Sequence, residues 1–232
     1  MNVLIMGGSG GLGKELSYMF AKNDHQVFIH GRNQNLLNHI KIKLIDKCQI
    51  IDGDIKDNNF IDRLEKYISD NNINCFINSV GMYSLEDFID TDDKDIEEMV
   101  LVNFLKPILL QKRIYSIYLN LNFGTIVNIN SFAGKKANFG NEIVYSATKF
   151  GMRGFTESLK LDVIKNKSKI NIIDVYIGAM KTSMLENRID YDLFIDPKDA
   201  AKVIYNSVVE DNSLRINNIE IRRSKYKWRY WL

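Results

Sequence analysis

Residues 3–22 constrain this fold more than any other stretch of the chain. Val3-Leu4-Ile5-Met6 is an uninterrupted apolar run, Gly7-Gly8-Ser9-Gly10-Gly11-Leu12-Gly13 follows at once, and Lys14 to Lys22 reads as helix. Apolar residues without polar alternation suit a strand buried on both faces. Glycines between such a strand and a helix let the backbone approach an anion, and the helix start offers free N–H groups at its positive end. The spacing Gly7-x-x-x-Gly11-x-Gly13 is one residue longer in its first gap than the usual G-x-G-x-x-G. Gly7, Ser9, Gly11, Leu12 and Gly13 are therefore candidate phosphate contacts.

Further apolar runs recur at 26–30, 49–52, 75–77, 124–130, 169–176 and 219–221, with helical patterns between them. That rhythm predicts an α/β chain: parallel βαβ units in a Rossmann-type, doubly wound sheet of about seven strands, with helices on both faces. A helix is expected from near Lys56, amphipathic over 60–69, and a long one over 92–110 that Pro107 kinks or interrupts. Residues 1–232 carry no internal repeat, low-complexity tract or linker, so one domain is the expectation.

In such sheets ligands gather at the carboxyl ends of the strands. The polar features fall there: the glycine loop, Arg32 with Asn33, Asp54 with Ile55, Asn78-Ser79-Val80-Gly81, Ser131 and Gly178. An NAD site of this kind usually has an acidic residue after the second strand to accept from the ribose hydroxyls. Arg32 stands there instead, and its fork of donors suits a 2′-phosphate, so NADP is expected over NAD. The alternative is an exposed arginine after a strand. Asp54 either accepts from an adenine amino group or caps the helix near Lys56.

Tyr145 and Lys149 sit one turn apart on one face if their stretch is helical. An ammonium beside a phenol favours the phenolate and draws its pKa down towards neutral pH, where acid/base catalysis works best. Asn103 lies within Val100-Leu101-Val102-Asn103-Phe104-Leu105, so its amide needs a partner, as a structural bracket or as a functional group. Ser131 ends a strand, where serine also commonly caps a turn.

Taken together, Gly7-x-x-x-Gly11-x-Gly13, Asn78-Ser79-Val80-Gly81, Asn103, Ser131, Tyr145-x-x-x-Lys149, and Gly178 with Thr182 resemble the short-chain dehydrogenase/reductase family in its compact single-domain form. The resemblance spans essentially the whole chain in order. It implies hydride transfer with a nicotinamide cofactor, Tyr145 exchanging a proton with the substrate oxygen and Ser131 hydrogen-bonding that oxygen. Lys149 would lower the tyrosine pKa and hold the nicotinamide ribose, and Asn103 would fix a water linking Lys149 to solvent. Gly178 and Thr182 would follow strand six beside the cofactor. The chain departs from the family at Met6 (commonly threonine), at Asn78-Ser79-Val80-Gly81 (commonly Asn-Asn-Ala-Gly) and at Ile177 (commonly proline). The last frees the backbone ahead of the substrate loop.

Substrate choice is expected in 179–196, read as a mobile lid, together with 82–87 and 132–142. Lys135 and Lys136 read as a solvated basic pair, with a phosphate or carboxylate contact as the alternative. The basic, aromatic 222–232 tail reads as subunit interface, with an anionic surface or nucleic acid as alternatives. With a net charge of +2, no overall field advertises a polyanion. Two cysteines without a C-x-x-C pair and three scattered histidines give no disulfide framework and no metal site. No signal peptide and no membrane span are read, so a cytoplasmic enzyme is expected. The expected activity is an NADP(H)-preferring carbonyl/alcohol oxidoreductase, acting on a small molecule as a homodimer or homotetramer. The rivals are a non-catalytic dinucleotide-binding regulator or scaffold, and a relative that modifies a sugar nucleotide.

Overall fold

The computed structural model describes residues 1–137, 140–210 and 214–223. Its strands are β1 (Asn2–Met6), β2 (Gln26–His30), β3 (Cys48–Ile51), β4 (Cys75–Asn78), β5 (Thr125–Ser131), β6 (Asn171–Ile177) and β7 (Asn218–Ile221). The helices are α1 (Gly11–Lys22), α2 (Gln34–Leu44), α3 (Asn58–Asp70), α4 (Asp93–Val100), α5 (Lys106–Leu121), α6 (Ile143–Lys165) and α7 (Pro197–Val208). All seven strands form one parallel sheet in the order β3-β2-β1-β4-β5-β6-β7. The order reverses at β1 and β4, which opens a crevice at their carboxyl ends.

The apolar runs split their side chains between two cores, as a pleated strand must. Val3 and Ile5 of β1 face a cluster with Leu16 and Phe20 of α1 and Ala200 and Ile204 of α7. Leu4 and Met6 face the opposite cluster, with Phe60 and Leu64 of α3 and Leu110 and Ile114 of α5. Each face therefore needs its own helix layer.

A polar tie crosses the second layer. Asn128 of β5 exchanges hydrogen bonds with Gln111 of α5, at 2.8 and 3.0 Å, and donates to Thr156 of α6 at 3.1 Å. All three are buried, so their pairing fixes how α5 and α6 sit on β5. Those two helices frame the site described below.

Two boundaries differ from expectation. The helix expected from Lys56 starts at Asn58, because the Asp57 carboxylate accepts from Asn59 N–H at 2.9 Å and so caps the start. Residues 92–110 are not one helix: α4 passes through a π-helical turn, Leu101–Leu105, into α5. Proline at 107 cannot donate to the Asn103 carbonyl, so the regular ladder fails there, as the kink expectation anticipated. The tail beyond residue 223 lies outside the described residues. No helix among the described residues is long and apolar enough to cross a membrane, and no metal-holding cluster of His, Cys, Asp or Glu occurs among them.

Candidate active site

The glycine loop joins β1 to α1 at the crevice. Gly7 adopts φ +79°, and a Cβ there would come within 2.7 Å of the Ser79 carbonyl. A Cβ on Gly13 would collide with the Gly7 carbonyl. Gly10 caps α1 without any side-chain hydrogen bond, and the first turn of α1 holds no acidic residue. The helix start is thus left free for an anion from outside.

Ser9 packs beside Gly31, and Thr182 packs against Gly11, where an added Cβ would lie 2.6 Å from the threonine methyl. The loop after β6 therefore reaches the glycine loop. Its two ends are clasped: Met180 and Ile195 form a parallel bridge, with Ile195 N–H donating to Ala179 at 2.9 Å and Lys181 N–H donating to Ile195 at 2.8 Å. Gly178 N–H donates to Ile221 of β7 at 3.1 Å.

At the β2–β3 side, Arg32 is exposed and Asn33 is the N-cap of α2, accepting from Leu36 N–H at 3.1 Å. Asp54 accepts from Lys56 N–H at 2.9 Å, a tight local turn rather than the helix cap that Asp57 supplies. Ile55 is buried in the second core. His30, stacked on Phe60 and hydrogen-bonded to Gly53, links this group: burial lowers its pKa, Asp54 and Asp52 oppose that, and Arg32 adds to it. Asn78 at the end of β4 is buried with its carbonyl oxygen unpartnered.

Tyr145 and Lys149 lie in the first turns of α6, and Ser131 ends β5 opposite Ile177. The Lys149 ammonium is 5.6 Å from the centre of the Tyr145 ring and donates to the Ile129 carbonyl at 3.3 Å. Gly81, Asn103 and Lys149 converge: a Cβ on Gly81 would sit 3.7 Å from the Asn103 side-chain oxygen and 3.9 Å from the Lys149 nitrogen. Ser131 lies close enough to Tyr145 to lower its pKa, and its oxygen accepts from Ala133 N–H at 3.1 Å.

Electrostatics here run against the sequence expectation. Burial pushes the Tyr145 pKa up to about 12; Ser131 lowers it and the Glu142 carboxylate raises it further. Burial also pulls Lys149 down to about 8, which Asp174 only partly opposes. Removal from water is the largest cause for both groups, raising the phenol and lowering the ammonium.

Asn103 is a bracket. Its side-chain oxygen accepts from Met82 N–H at 2.7 Å and its amide donates to the Met82 carbonyl at 2.9 Å and to Thr148 at 3.5 Å. The side chain thus ties Met82 to the turn that carries Asn103.

The short chain dehydrogenase family profile matches residues 1–192. The chain belongs to that family. Carbonyl reductase family member 4 of Xenopus laevis is 29% identical over 214 residues, covering 86% of this chain and 87% of that one. Among solved structures, the closed form of a serine dehydrogenase complexed with NADP+ has a TM-score of 0.87 at 23% identity, covering 95% of this chain and 94% of that one. ElxO with NADP bound has a TM-score of 0.83 at 25% identity, covering 95% and 96%. This protein is therefore a short-chain oxidoreductase with a Rossmann-type sheet.

In this short-chain dehydrogenase several neighbours of the site went unread as individuals in the sequence. Tyr83 meets the Tyr145 ring edge-on at 4.9 Å and donates to Glu142. Asn130 donates to the Lys149 carbonyl at 3.3 Å and to the buried Asp174 at 3.5 Å. Glu142 stands three residues before Tyr145, a helical spacing that could have flagged it. Asn130 and Asp174 are brought together only by β5–β6 pairing. Lys135 is not a free basic group: it pairs with Glu220 and lies 4.4 Å over the Tyr176 ring.

Proposed function

We propose that this enzyme interconverts a carbonyl and an alcohol on a small molecule with NADP(H), in preference to NAD(H), using Tyr145, Lys149, Ser131 and Asn103. The observation that carries the proposal is a hydroxyl, a phenol and an ammonium in one corner, Lys149 buried and Ser131 and Tyr145 half-buried, together with an uncapped helix start after a crowded glycine loop.

The residues fit a nicotinamide dinucleotide. Gly7, Ser9, Gly11, Leu12 and Gly13 would face its pyrophosphate, and Arg32 with Asn33 its adenosine ribose and 2′-phosphate. Asp54 and Ile55 would face the adenine, Asn78 and Gly81 the ribose–nicotinamide half, and Gly178 and Thr182 the nicotinamide. When bound, the cofactor supplies or takes the hydride. Ser131 orients the substrate oxygen and Tyr145 holds the proton to be given to it. Burial, which raises the phenol to about 12, keeps that proton on Tyr145 at neutral pH. The Lys149 ammonium, brought to about 8, offsets the charge left on Tyr145. Since the Asn103 side chain holds Met82, the group it offers a proton-relay water is its main-chain carbonyl, which Pro107 cannot cap.

Residues 1–232 would act as one cytoplasmic domain, as a homodimer or homotetramer, with no nucleic-acid partner. The test is a titration of purified protein with NADPH and NADH followed by nicotinamide fluorescence, then a carbonyl screen with the tighter cofactor. Tighter NADPH binding and turnover are expected. Tighter NADH binding overturns the cofactor preference, and binding of neither overturns the enzyme reading.

A further inference from the structure

Asp174 is the one carboxylate of β6, set among Ile172, Ile173, Val175 and Ile177, and it is fully buried. A carboxyl in the middle of a covered strand is costly to desolvate, and an aliphatic side chain would serve the core better. Strand pairing sets Asp174 opposite Asn128 and Tyr176 opposite Asn130, on the face where Asn128 reaches Thr156 of α6. Asn130 ties this face to the site. Its side-chain oxygen accepts from Ser131 N–H at 2.8 Å, and its amide donates to the Lys149 carbonyl at 3.3 Å and to an Asp174 oxygen at 3.5 Å. One buried amide thus joins Ser131, Lys149 and Asp174, and its three partners fix which way it points.

The charge of Asp174 is felt at three cations of α6: Lys149, Arg153 and Lys160. Arg153 is paired with Glu157 at 2.9 Å, and Lys160 donates to the Asn217 carbonyl at 2.6 Å and to the Asn218 side chain at 2.9 Å. Both are half-buried. Lys149 is buried, beside the neutral Tyr145, and donates to the uncharged Ile129 carbonyl. The charge that opposes burial at Lys149 is Asp174. At Asp174 itself burial raises the carboxyl, and Tyr176, Lys160, Asn130 and Lys149 oppose that. Tyr176 is raised beyond the usual phenol range by burial first and then by Asp174, and over its ring Lys135 is paired with Glu220 of β7.

We infer that Asp174 is a positioning residue: through the Asn130 amide it ties β6 to the turn of α6 that carries Lys149, and its carboxylate is the buried counter-charge of the Lys149 ammonium. This deepens the oxidoreductase reading above and rests on its use of Lys149. With no exposed surface, Asp174 acts through the lysine and not on the substrate. An ammonium beside an anion keeps its proton to higher pH than one without. The counter-charge therefore widens the pH range over which Lys149 can offset the charge left on Tyr145.

The test reads Lys149 directly. Full-length protein labelled with 13C at lysine Cε is titrated by NMR, and the Lys149 signal is the one absent from Lys149→Arg. Asp174→Asn keeps an oxygen for the Asn130 amide and removes the charge. It should lower the ammonium-to-amine ratio of Lys149 at pH 8 by about threefold or more. Reduction with NADPH of the carbonyl found in the screen should then lose kcat/KM at correspondingly lower pH. An unchanged Lys149 titration overturns the inference, and so does a shifted titration with an unmoved rate profile. If Asp174→Asn does not fold, Lys149→Met decides the matter, because coupling is reciprocal. Removing the ammonium should raise the Asp174 titration midpoint, read at its own carboxyl 13C signal, and an unmoved midpoint overturns the inference. A wild-type rate profile without a limb near pH 8, or a protein that binds no NADPH, is a separate result. It removes the parent role of Lys149, and this one with it.

Discussion

The Lys149 ammonium donates to the Ile129 carbonyl at 3.3 Å while the ring of Tyr145 lies 5.6 Å from it. Neither neighbour is charged, so neither repays its desolvation, and the lysine falls to about 8. The protonated form that supports reduction exists below that value and is lost as pH rises through it. For reduction by the free enzyme, kcat/KM should decline above about pH 8, and Lys149→Arg, which stays charged, should move that limb upward. A profile level to pH 10 would remove the lysine from the proton chemistry.

The proposed mechanism makes Tyr145 the proton donor. Tyr145→Phe keeps the ring that packs on Tyr83 at 4.9 Å and removes only the hydroxyl. Turnover should fall by roughly 10²–10⁴-fold, the usual contribution of a positioned acid, while NADPH affinity changes little. Steady-state kinetics beside a fluorescence titration separate the two, and retained turnover contradicts the role.

Arg32 is exposed and makes no hydrogen bond or ion pair with the described residues; only its charge is felt at His30 and Lys56. Arg32→Ala should therefore leave the unfolding midpoint unchanged and weaken NADPH by about 10–100-fold relative to NADH, the worth of a charged hydrogen bond. An unchanged NADPH/NADH ratio sinks the 2′-phosphate assignment.

Asn103 ties the stretch after β4 to the π turn through both main-chain groups of Met82. Asn103→Ala leaves that N–H and carbonyl unpaired and should cost about 1–3 kcal/mol in urea unfolding. Because Gly81 precedes Met82 and adjoins Lys149, cofactor affinity should drop as well. Full stability would show that water or a rearranged loop replaces the bracket.

The sheet was legible because its strands are apolar on both faces, a pattern that only a covered parallel sheet accommodates. The glycine loop was legible because its backbone demands are written in residue type. What the sequence misjudged were balances. A tyrosine and a lysine one turn apart suggest a lowered phenol pKa, but burial is the largest cause acting on Tyr145 and it raises the pKa. Lys135 read as solvated because Glu220, its partner, is 85 residues away and arrives only when β7 pairs with β6. Of the two readings of Asp54, the cap falls to Asp57, which nothing local distinguishes from it.

By itself, then, the sequence determined the α/β class, the strand rhythm, the anion-ready loop and the Tyr145–Lys149 spacing, since each is set by neighbours within a few residues. Tertiary structure alone decided the rest. It placed Thr182 against Gly11, put Met82 in the grip of Asn103, and buried Glu142 with one oxygen bonded to Tyr83 and the other bare. The physical reason is common to all three. Desolvation and hydrogen-bond pairing depend on which distant atoms close over a group, and residue type at one position does not encode them.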